Sequence, residues 1–287
     1  AGYPASVFAQ TGEPASAAVQ NGATSTASTS EISAVSAEAQ TPYKIDKLMS
    51  DRVYSDFVVG PGIFSLEIAP GQSKTVEVVI TNRMGVPKTF SLSVEDMAGS
   101  SDVDDRSVVL LGDEVGPYSI KDYISVPVDT FVLNHAERVR VPVTVSLPAD
   151  AEPGGFYGSL LAQIVSDKTE QQEGEVVSSS KVVSRIGTLF FVTTPGEIAH
   201  DSQLISFTTE NEKKFFTKGP VIFNLLSENK GSVHVTPFGN LRIYNTLGNE
   251  VGFVELQPWY VLPKSQRNKE VQWNREFMVG RYTAVAE

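Results

Sequence analysis

Alternating apolar and polar residues run through most of the chain after residue 62. The clearest stretch is residues 138–147, in which five apolar residues share one face of an extended strand. They are Val139, Val141, Val143, Val145 and Leu147. Because successive side chains of a strand point to opposite faces, this stretch predicts a strand that is buried on one side. A corner with two prolines and a Gly-Gly pair, residues 147–155, interrupts the ladder before residues 156–165 resume it. Two such strands around an ordered corner predict a β-sandwich.

The same pattern recurs between Gly, Pro, Asn and Asp signals, at the spacing of all-β sandwiches. Further strands are predicted at residues 64–68, 75–81, 88–95, 130–133, 182–193, 203–208, 221–226, 241–244, 251–256, 270–273 and 281–285. No segment has a helical period, although Ser119 as an N-cap with Asp122 predicts one short helical turn. The predicted fold is all-β, with two tandem immunoglobulin-like β-sandwiches after a disordered N-terminal leader.

The predicted organisation has three parts. Residues 1–42 form the leader, because a tract rich in Ala, Ser and Thr cannot offset the entropy of ordering. Residues 43–196 form the first immunoglobulin-like domain, with an exposed hairpin loop at residues 167–180, and residues 197–287 form the second. Val7-Phe8-Ala9 resembles the end of a secretory signal, which predicts an extracellular protein.

The second domain is predicted to lack its last strand. The sequence stops in what reads as the penultimate strand of a sandwich. Trimming of the chain explains this most simply, and it is the explanation we favour. In the alternative, a partner supplies the missing strand by β-augmentation.

Composition narrows the choice of partner. The chain has 287 residues, a formal net charge of −11 and no cysteine. The negative charge repels nucleic acid, and the absence of thiols excludes disulfides and cysteine chemistry. No apolar run reaches the roughly 18 residues of a membrane span, so we expect membrane attachment only through an anchor absent from this chain.

The sequence shows no recognisable catalytic or metal centre. The three histidines, His135, His200 and His234, fit no nucleophile, HExxH or paired metal spacing. The carboxylate pair Glu95-Asp96 suits a glycosidase only weakly. We therefore predict no enzyme activity, no cofactor and no metal. Calcium binding by the Asp102–Asp105 loop stays open, although the EF-hand pattern is missing.

Aromatic residues give the candidate ligand site. Phe156 and Tyr157 follow the Gly-Gly pair, and Tyr118 and Tyr123 lie in the long segment before the corner. These four residues are the predicted ligand-binding residues, as an apolar platform for sugar rings or peptide stems. The alternative is that they plug the end of a sandwich.

Several ordered segments resemble the WxL-interacting surface proteins of Gram-positive bacteria, here as a distant relative from a small-genome bacterium. They are IAPGQSKTVEVVITN (68–82), SLPADAEPGGFYG (146–158), RIGTLFFVTTPGE (185–197), ENKGSVHVTPFGNLRIYNTLGNEVG (228–252), VLP (261–263) and a Trp273 to GRYTA segment (273–284). The resemblance implies a peptidoglycan-binding first domain, a partner-binding second domain and, usually, a membrane-anchoring helix, which this chain lacks.

The predicted function is that of a non-catalytic surface protein of the cell envelope. It would bind cell-wall polymer, another surface protein or both, outside the cell, tethered to the membrane in the full-length protein. The oligomeric state stays open. The alternative is a pilus-type chaperone, or a filament or surface-layer subunit that assembles by strand exchange. A chaperone needs basic cleft residues, for which Arg83 and Lys88 are candidates without a matching motif.

Overall fold

The computed structural model describes residues 42–100, 108–165 and 184–287. The predicted leader, apart from its last residue, lies outside these ranges. So do the Asp102–Asp105 loop and the hairpin loop at residues 167–180. Within the described ranges, no helix is long and apolar enough to cross a membrane.

Strands dominate the described chain, with two short 3-10 turns at Lys121–Tyr123 and Glu210–Glu212. The first eleven strands are β1 (Lys44–Lys47), β2 (Phe57–Gly60), β3 (Ile63–Glu67), β4 (Ser73–Asn82), β5 (Lys88–Ala98), β6 (Val109–Leu110), β7 (Ile124–Ser125), β8 (Thr130–Leu133), β9 (Glu137–Ser146), β10 (Gly154–Ile164) and β11 (Arg185–Thr194). The last six are β12 (Ser202–Thr209), β13 (Val221–Asn229), β14 (Gly239–Asn245), β15 (Glu250–Leu256), β16 (Ser265–Trp273) and β17 (Tyr282–Ala286).

Strands β1 to β11 form the first sandwich. One sheet has the order β1-β9-β4-β2, with β7 also paired to β9, and the other has the order β3-β11-β10-β5-β6, with β8 also paired to β5. All pairs are antiparallel except β3 with β11, where Ile63 lies opposite Leu189 and Glu67 opposite Thr193 in parallel register. The consecutive strands β2 and β3 therefore belong to different sheets.

The core of the first sandwich follows from the period-two pattern. Every second residue of β9 from Val139 to Val145 is fully buried, and these valines belong to the same cluster as Phe90 of β5 and Phe190 of β11. Burying one such side chain contributes about 1.5–3 kcal/mol.

Strands β12 to β17 form the second sandwich, from the sheets β12-β13-β16 and β15-β14-β17. Its core includes Phe223 and Leu225 of β13, Ile243 of β14 and Trp273 of β16. The all-β prediction of two immunoglobulin-like sandwiches is thus confirmed. The exact domain boundary at residue 196 stays a prediction.

A third buried cluster joins the two sandwiches within one compact unit, residues 41–287. Tyr157 of β10 and Phe191 of β11 pack against Tyr260 and Leu262 of the segment between β15 and β16. The rings of Phe191 and Tyr260 meet edge to face with centroids 4.8 Å apart, a favourable arrangement for aromatic pairs. The sandwiches therefore share a packed junction.

Two local predictions differ from the structure. Strands β9 and β10 do not pair with each other, because the corner carries the chain from one sheet to the other, and Gly154 and Gly155 already belong to β10. The predicted turn at Ser119 is a 3-10 turn over Lys121–Tyr123 without a side-chain cap. The Ser119 side chain instead hydrogen-bonds Asp96, which fixes this segment from outside it.

Candidate functional site

Three of the four predicted aromatic residues line one cavity. Tyr118, Tyr123 and Phe156 border a space of about 470 Å³ beside the Pro148–Pro153 corner and Ser232 of the second sandwich. The rings of Tyr123 and Phe156 stand edge to face with centroids 6.1 Å apart. The structure thus places three of the residues predicted from the sequence on one surface of the junction.

Tyr157 points away from that cavity and is almost completely buried. The backbone N–H of His234 donates to the Tyr157 hydroxyl over 2.6 Å, and this hydroxyl also lies 3.2 Å from Nδ1 of His234. Burial raises the pKa of the Tyr157 hydroxyl and lowers the pKa of His234. Tyr157 therefore stays protonated and connects the sandwiches.

The carboxylate pair Glu95-Asp96 is divided between two tasks, because neighbouring residues of β5 face opposite ways. Glu95 pairs with Arg185 of β11. Asp96 accepts hydrogen bonds from the backbone N–H groups of Gly116, Ile120 and Lys121 at 3.0–3.1 Å. The two carboxylates hold structure in place instead of facing one substrate.

The pKa of Asp96 reflects this task. Its burial raises the pKa, but the hydrogen bonds from Ser119 and from the three backbone N–H groups outweigh burial and hold the pKa below its usual value. Asp96 is therefore ionised at neutral pH, and it anchors the segment that carries Tyr118.

The remaining histidines are separate from one another. His135 accepts from the backbone N–H of Gly85 through Nδ1 over 3.1 Å, and its Nε2 lies 2.8 Å from the carbonyl oxygen of Asp51. His200 is exposed. Across residues 42–100, 108–165 and 184–287, no group of three or more histidine or acidic side chains is placed to hold a metal ion.

The two candidate basic residues of a chaperone cleft do not form one. Arg83 donates to both carboxylate oxygens of Asp56, at 2.8 and 2.5 Å. Lys88 begins β5, whereas Gly99, just beyond the other end of β5, approaches Leu262 and Ser265 of the second sandwich. Neither cation therefore faces the junction.

A groove opens along one side of the second sandwich, between the edge strands β12 and β17. Its larger part is a cavity of about 670 Å³ over the core residues Phe223, Ile243 and Trp273. A smaller cavity of about 210 Å³ continues it past Leu204 and Leu225 to the end of β17. The volume of the larger cavity is typical of ligand sites. On this side of the second sandwich, the cavity reaches down to apolar core side chains that are themselves almost completely buried.

The edge of β17 along this groove is unpaired among the described residues. Glu287 exchanges both backbone hydrogen bonds with Asn240 of the extended β14 register, at 2.8 and 2.9 Å. Because such pairs alternate along an antiparallel ladder, the N–H and C=O groups of Tyr282, Ala284 and Ala286 point away from β14. The groove therefore has backbone donors and acceptors on its wall as well as apolar side chains on its floor.

The first sandwich shows what normally fills this position. There β10 is flanked by β5 on one side and by β11 on the other. In the second sandwich β17 has β14 on one side, and no described strand pairs with its other side. Among residues 184–287, no strand takes the position beside β17 that β11 takes beside β10, and Phe190 and Val192 of β11 show how such a strand inserts alternate apolar residues into a core.

Comparisons with known proteins give no family. No family model matches the chain, and a search of curated proteins found no match. Among solved structures, the class 5 fimbriae chaperone CfaA is 9% identical, with a TM-score of 0.40 over 81% of this chain and 99% of that one. The E. coli chaperone DraB is 12% identical, with a TM-score of 0.38 over 79% and 89%.

A third similar structure comes from the CsuC–CsuE chaperone–tip adhesion subunit pre-assembly complex of Acinetobacter baumannii. It is 13% identical, with a TM-score of 0.39 over 80% of this chain and 93% of that one. Identities and TM-scores this low concern the general sandwich fold. The function has to be argued from the geometry described above.

Two predictions from the sequence are wrong. The chain is not assigned to the WxL-interacting proteins, because no family model matches it and the solved structures reported above as similar are fimbrial chaperones. The Ala-Pro-Gly and Pro-Gly-Gly segments behind that resemblance mark turns of a sandwich, so they specify fold and not family. Binding of cell-wall polymer, which rested on the same resemblance, is withdrawn with it.

Proposed function

We propose that the protein is a non-catalytic assembly module of the cell envelope, which accepts an extended strand of a partner polypeptide in the groove between β12 and β17. The observation that carries this proposal is the coincidence of an apolar floor with the unpaired edge of β17. An open edge of this kind is a template for pairing with another chain. The partner is a surface protein, and the site of action is outside the cytoplasm.

The groove offers enough apolar surface for binding. A strand paired along β17 spans its five residues, Tyr282–Ala286. About three of the partner's side chains then point inward, and each contributes about 1.5–3 kcal/mol when buried. The total of roughly 5–9 kcal/mol is reduced by the entropy of ordering the strand, which leaves moderate affinity.

The geometry favours a strand acceptor over a chaperone. Arg83 is held by Asp56, and Lys88 lies away from the junction, so the basic cleft expected of a chaperone is not formed by these residues. A subunit that takes up a strand from its neighbour needs the groove that the second sandwich has. The cavity lined by Tyr118, Tyr123 and Phe156 is a second proposed contact for a partner protein.

The test uses the full chain and a synthetic peptide with the β11 sequence RIGTLFFVTT, residues 185–194. We expect this peptide to bind and to slow amide hydrogen exchange at Tyr282, Ala284 and Ala286. The variant Ala284→Pro removes an N–H that points away from β14, so it spares the existing ladder. We expect it to weaken peptide binding at least about tenfold, since both a hydrogen bond and close approach are lost.

Ala284→Ser is the matched control, because it keeps the N–H and nearly the same volume. Thermal unfolding of both variants verifies that the sandwich is intact. The proposal fails if the peptide does not bind, or if Ala284→Pro binds it as tightly as Ala284→Ser does. It also fails if the three amides are already protected in the free protein, because another segment then occupies the edge.

A further inference from the structure

The ends of the groove differ in charge. We define the basic end by Lys213, Lys214 and Arg281, which line the larger cavity near the start of β17. We define the acidic end by Glu228 and Glu287, which line the smaller cavity near the end of β17. The protein has a net charge of −11, so a local cluster of cations contrasts with the rest of the chain and suggests an acidic binding partner.

The cations of the basic end lack acidic partners among the described residues. Lys213 lies over the ring of Phe216, with its Nζ 5.1 Å from the centroid. Lys214 and Arg281 are exposed, and neither belongs to an ion pair in the described part of the chain. At the acidic end, by contrast, Glu228 pairs with Lys230 and Glu287 with Arg242. Glu210 and Glu212, in the turn before Lys213, do not line the groove. Among the residues that line it, the unmatched charge is therefore positive and lies at one end.

From this asymmetry we propose the orientation and chemistry of the strand that fills the groove, an inference that rests on the strand-accepting function proposed above. The strand runs antiparallel to β17 and carries acidic side chains at its C-terminal end, where it reaches Lys213, Lys214 and Arg281. Strand β17 runs from Tyr282 at the basic end to Ala286 at the acidic end. An antiparallel partner therefore ends where the cations are.

Two further features agree with this orientation. Every strand pair in the second sandwich is antiparallel, and antiparallel pairing is slightly more stable per residue than parallel pairing. The larger cavity also lies at the basic end, so the bulkiest inward side chain of the partner belongs near its acidic residues. The expected motif is an alternating apolar strand that ends in a large apolar residue followed by Asp or Glu.

The experiment compares three peptides on the full chain. One has the β11 sequence alone, one adds two aspartates at its C-terminal end, and one adds them at its N-terminal end. We expect the C-terminal form to bind about five- to tenfold more tightly than the N-terminal form at low salt, from exposed ion pairs of ordinary strength. This difference should nearly vanish in about 1 M salt, where the screening length is about 3 Å.

A triple variant tests which cations are responsible. Lys213→Ala, Lys214→Ala and Arg281→Ala together should abolish the preference for C-terminal aspartates without weakening the binding of the peptide that has no added aspartates. The control removes three exposed lysines of the first sandwich, Lys44, Lys47 and Lys74, which gives the same change in net charge. It should leave the preference intact.

The outcomes separate the two proposals. If no peptide binds, the strand-accepting function itself is wrong. If all three peptides bind equally, or if the control abolishes the preference as well, the groove accepts strands but the inferred orientation and chemistry are wrong. Vesicles containing phosphatidylserine give the last comparison. If they bind through the same three cations while the peptides show no preference, the basic end serves a membrane and the inference is overturned.

Discussion

The hydrogen bond between Tyr157 and His234 gives a sharp test of the junction. In the variant Tyr157→Phe, the backbone N–H of His234 loses its acceptor at 2.6 Å, and Nδ1 loses its neighbour at 3.2 Å. Tyr157 has a relative exposure of 1%, so water does not readily replace the hydroxyl. A buried donor left without a partner costs about 1–3 kcal/mol.

We therefore expect Tyr157→Phe to lower the free energy of unfolding by about 1–3 kcal/mol. Urea denaturation, followed by circular dichroism and tryptophan fluorescence, measures this loss. Because both tryptophans, Trp259 and Trp273, lie in the second sandwich, fluorescence follows that sandwich while circular dichroism follows the whole chain. Weakening of the junction should make the two transitions separate.

Tyr123→Phe is the control, since the Tyr123 hydroxyl makes no hydrogen bond among the described residues and its ring borders the neighbouring cavity. Equal stability losses for the two variants would refute the reasoning. So would coincident transitions for Tyr157→Phe at reduced stability, because the hydroxyl would then stabilise one sandwich without coupling it to the other.

Three further results are expected. Burial lowers the pKa of His234 from its usual 6.5. The unfolded chain therefore binds a proton more readily than the folded one, and the free energy of unfolding falls as the pH drops below about 6.5. His234→Gln should reduce this pH dependence of the free energy of unfolding, measured between pH 7.5 and 5. Asp96→Asn should cost about 2–4 kcal/mol in urea denaturation, because an amide cannot accept all the hydrogen bonds that the carboxylate accepts. Because the pKa of Asp96 is lowered in the folded protein, the wild type should lose this stability only in acid, as the pH falls below the usual pKa of 3.8. Size-exclusion chromatography with light scattering should show polymers only when the donor strand is joined to another copy of the chain, because a separate peptide fills one groove and links nothing; a chain that stays monomeric with a joined donor argues against a filament subunit.

The sequence predicted the sandwich strands well because their information is local. In β9 and β13, alternation of buried and half-buried residues follows directly from side-chain direction. Strand β8 was predicted with its observed bounds, Thr130–Leu133. Such strands are visible in a single sequence because one face must be apolar.

The strands that the sequence did not predict lie at the edges of sheets. Strand β1, Lys44–Lys47, has a single apolar residue and is held by pairing with β9, where Asp46 lies between Arg138 and Arg140. Its stabilising partners are about 90 residues away in the chain, so no local pattern marks it. Strand β2 was missed as well, although its Phe57 is buried.

The candidate site was predictable only in outline. The strand that contains Tyr282, which forms one wall of the groove, was visible in the sequence. The basic end was not, because Lys213 and Arg281 are 68 positions apart and meet only through the sandwich. The same holds for Tyr157 and His234, whose bond depends on how the sandwiches dock.

The parallel pairing of β3 with β11 has a mechanical consequence for the first sandwich. A tensile load between the two ends of the first sandwich pulls these strands in opposite directions along a shared axis. Their five registered pairs, from Ile63 with Leu189 to Glu67 with Thr193, are then sheared together instead of being peeled apart one by one. The pairing of β3 with β11 therefore resists stretching between the two ends of the first sandwich.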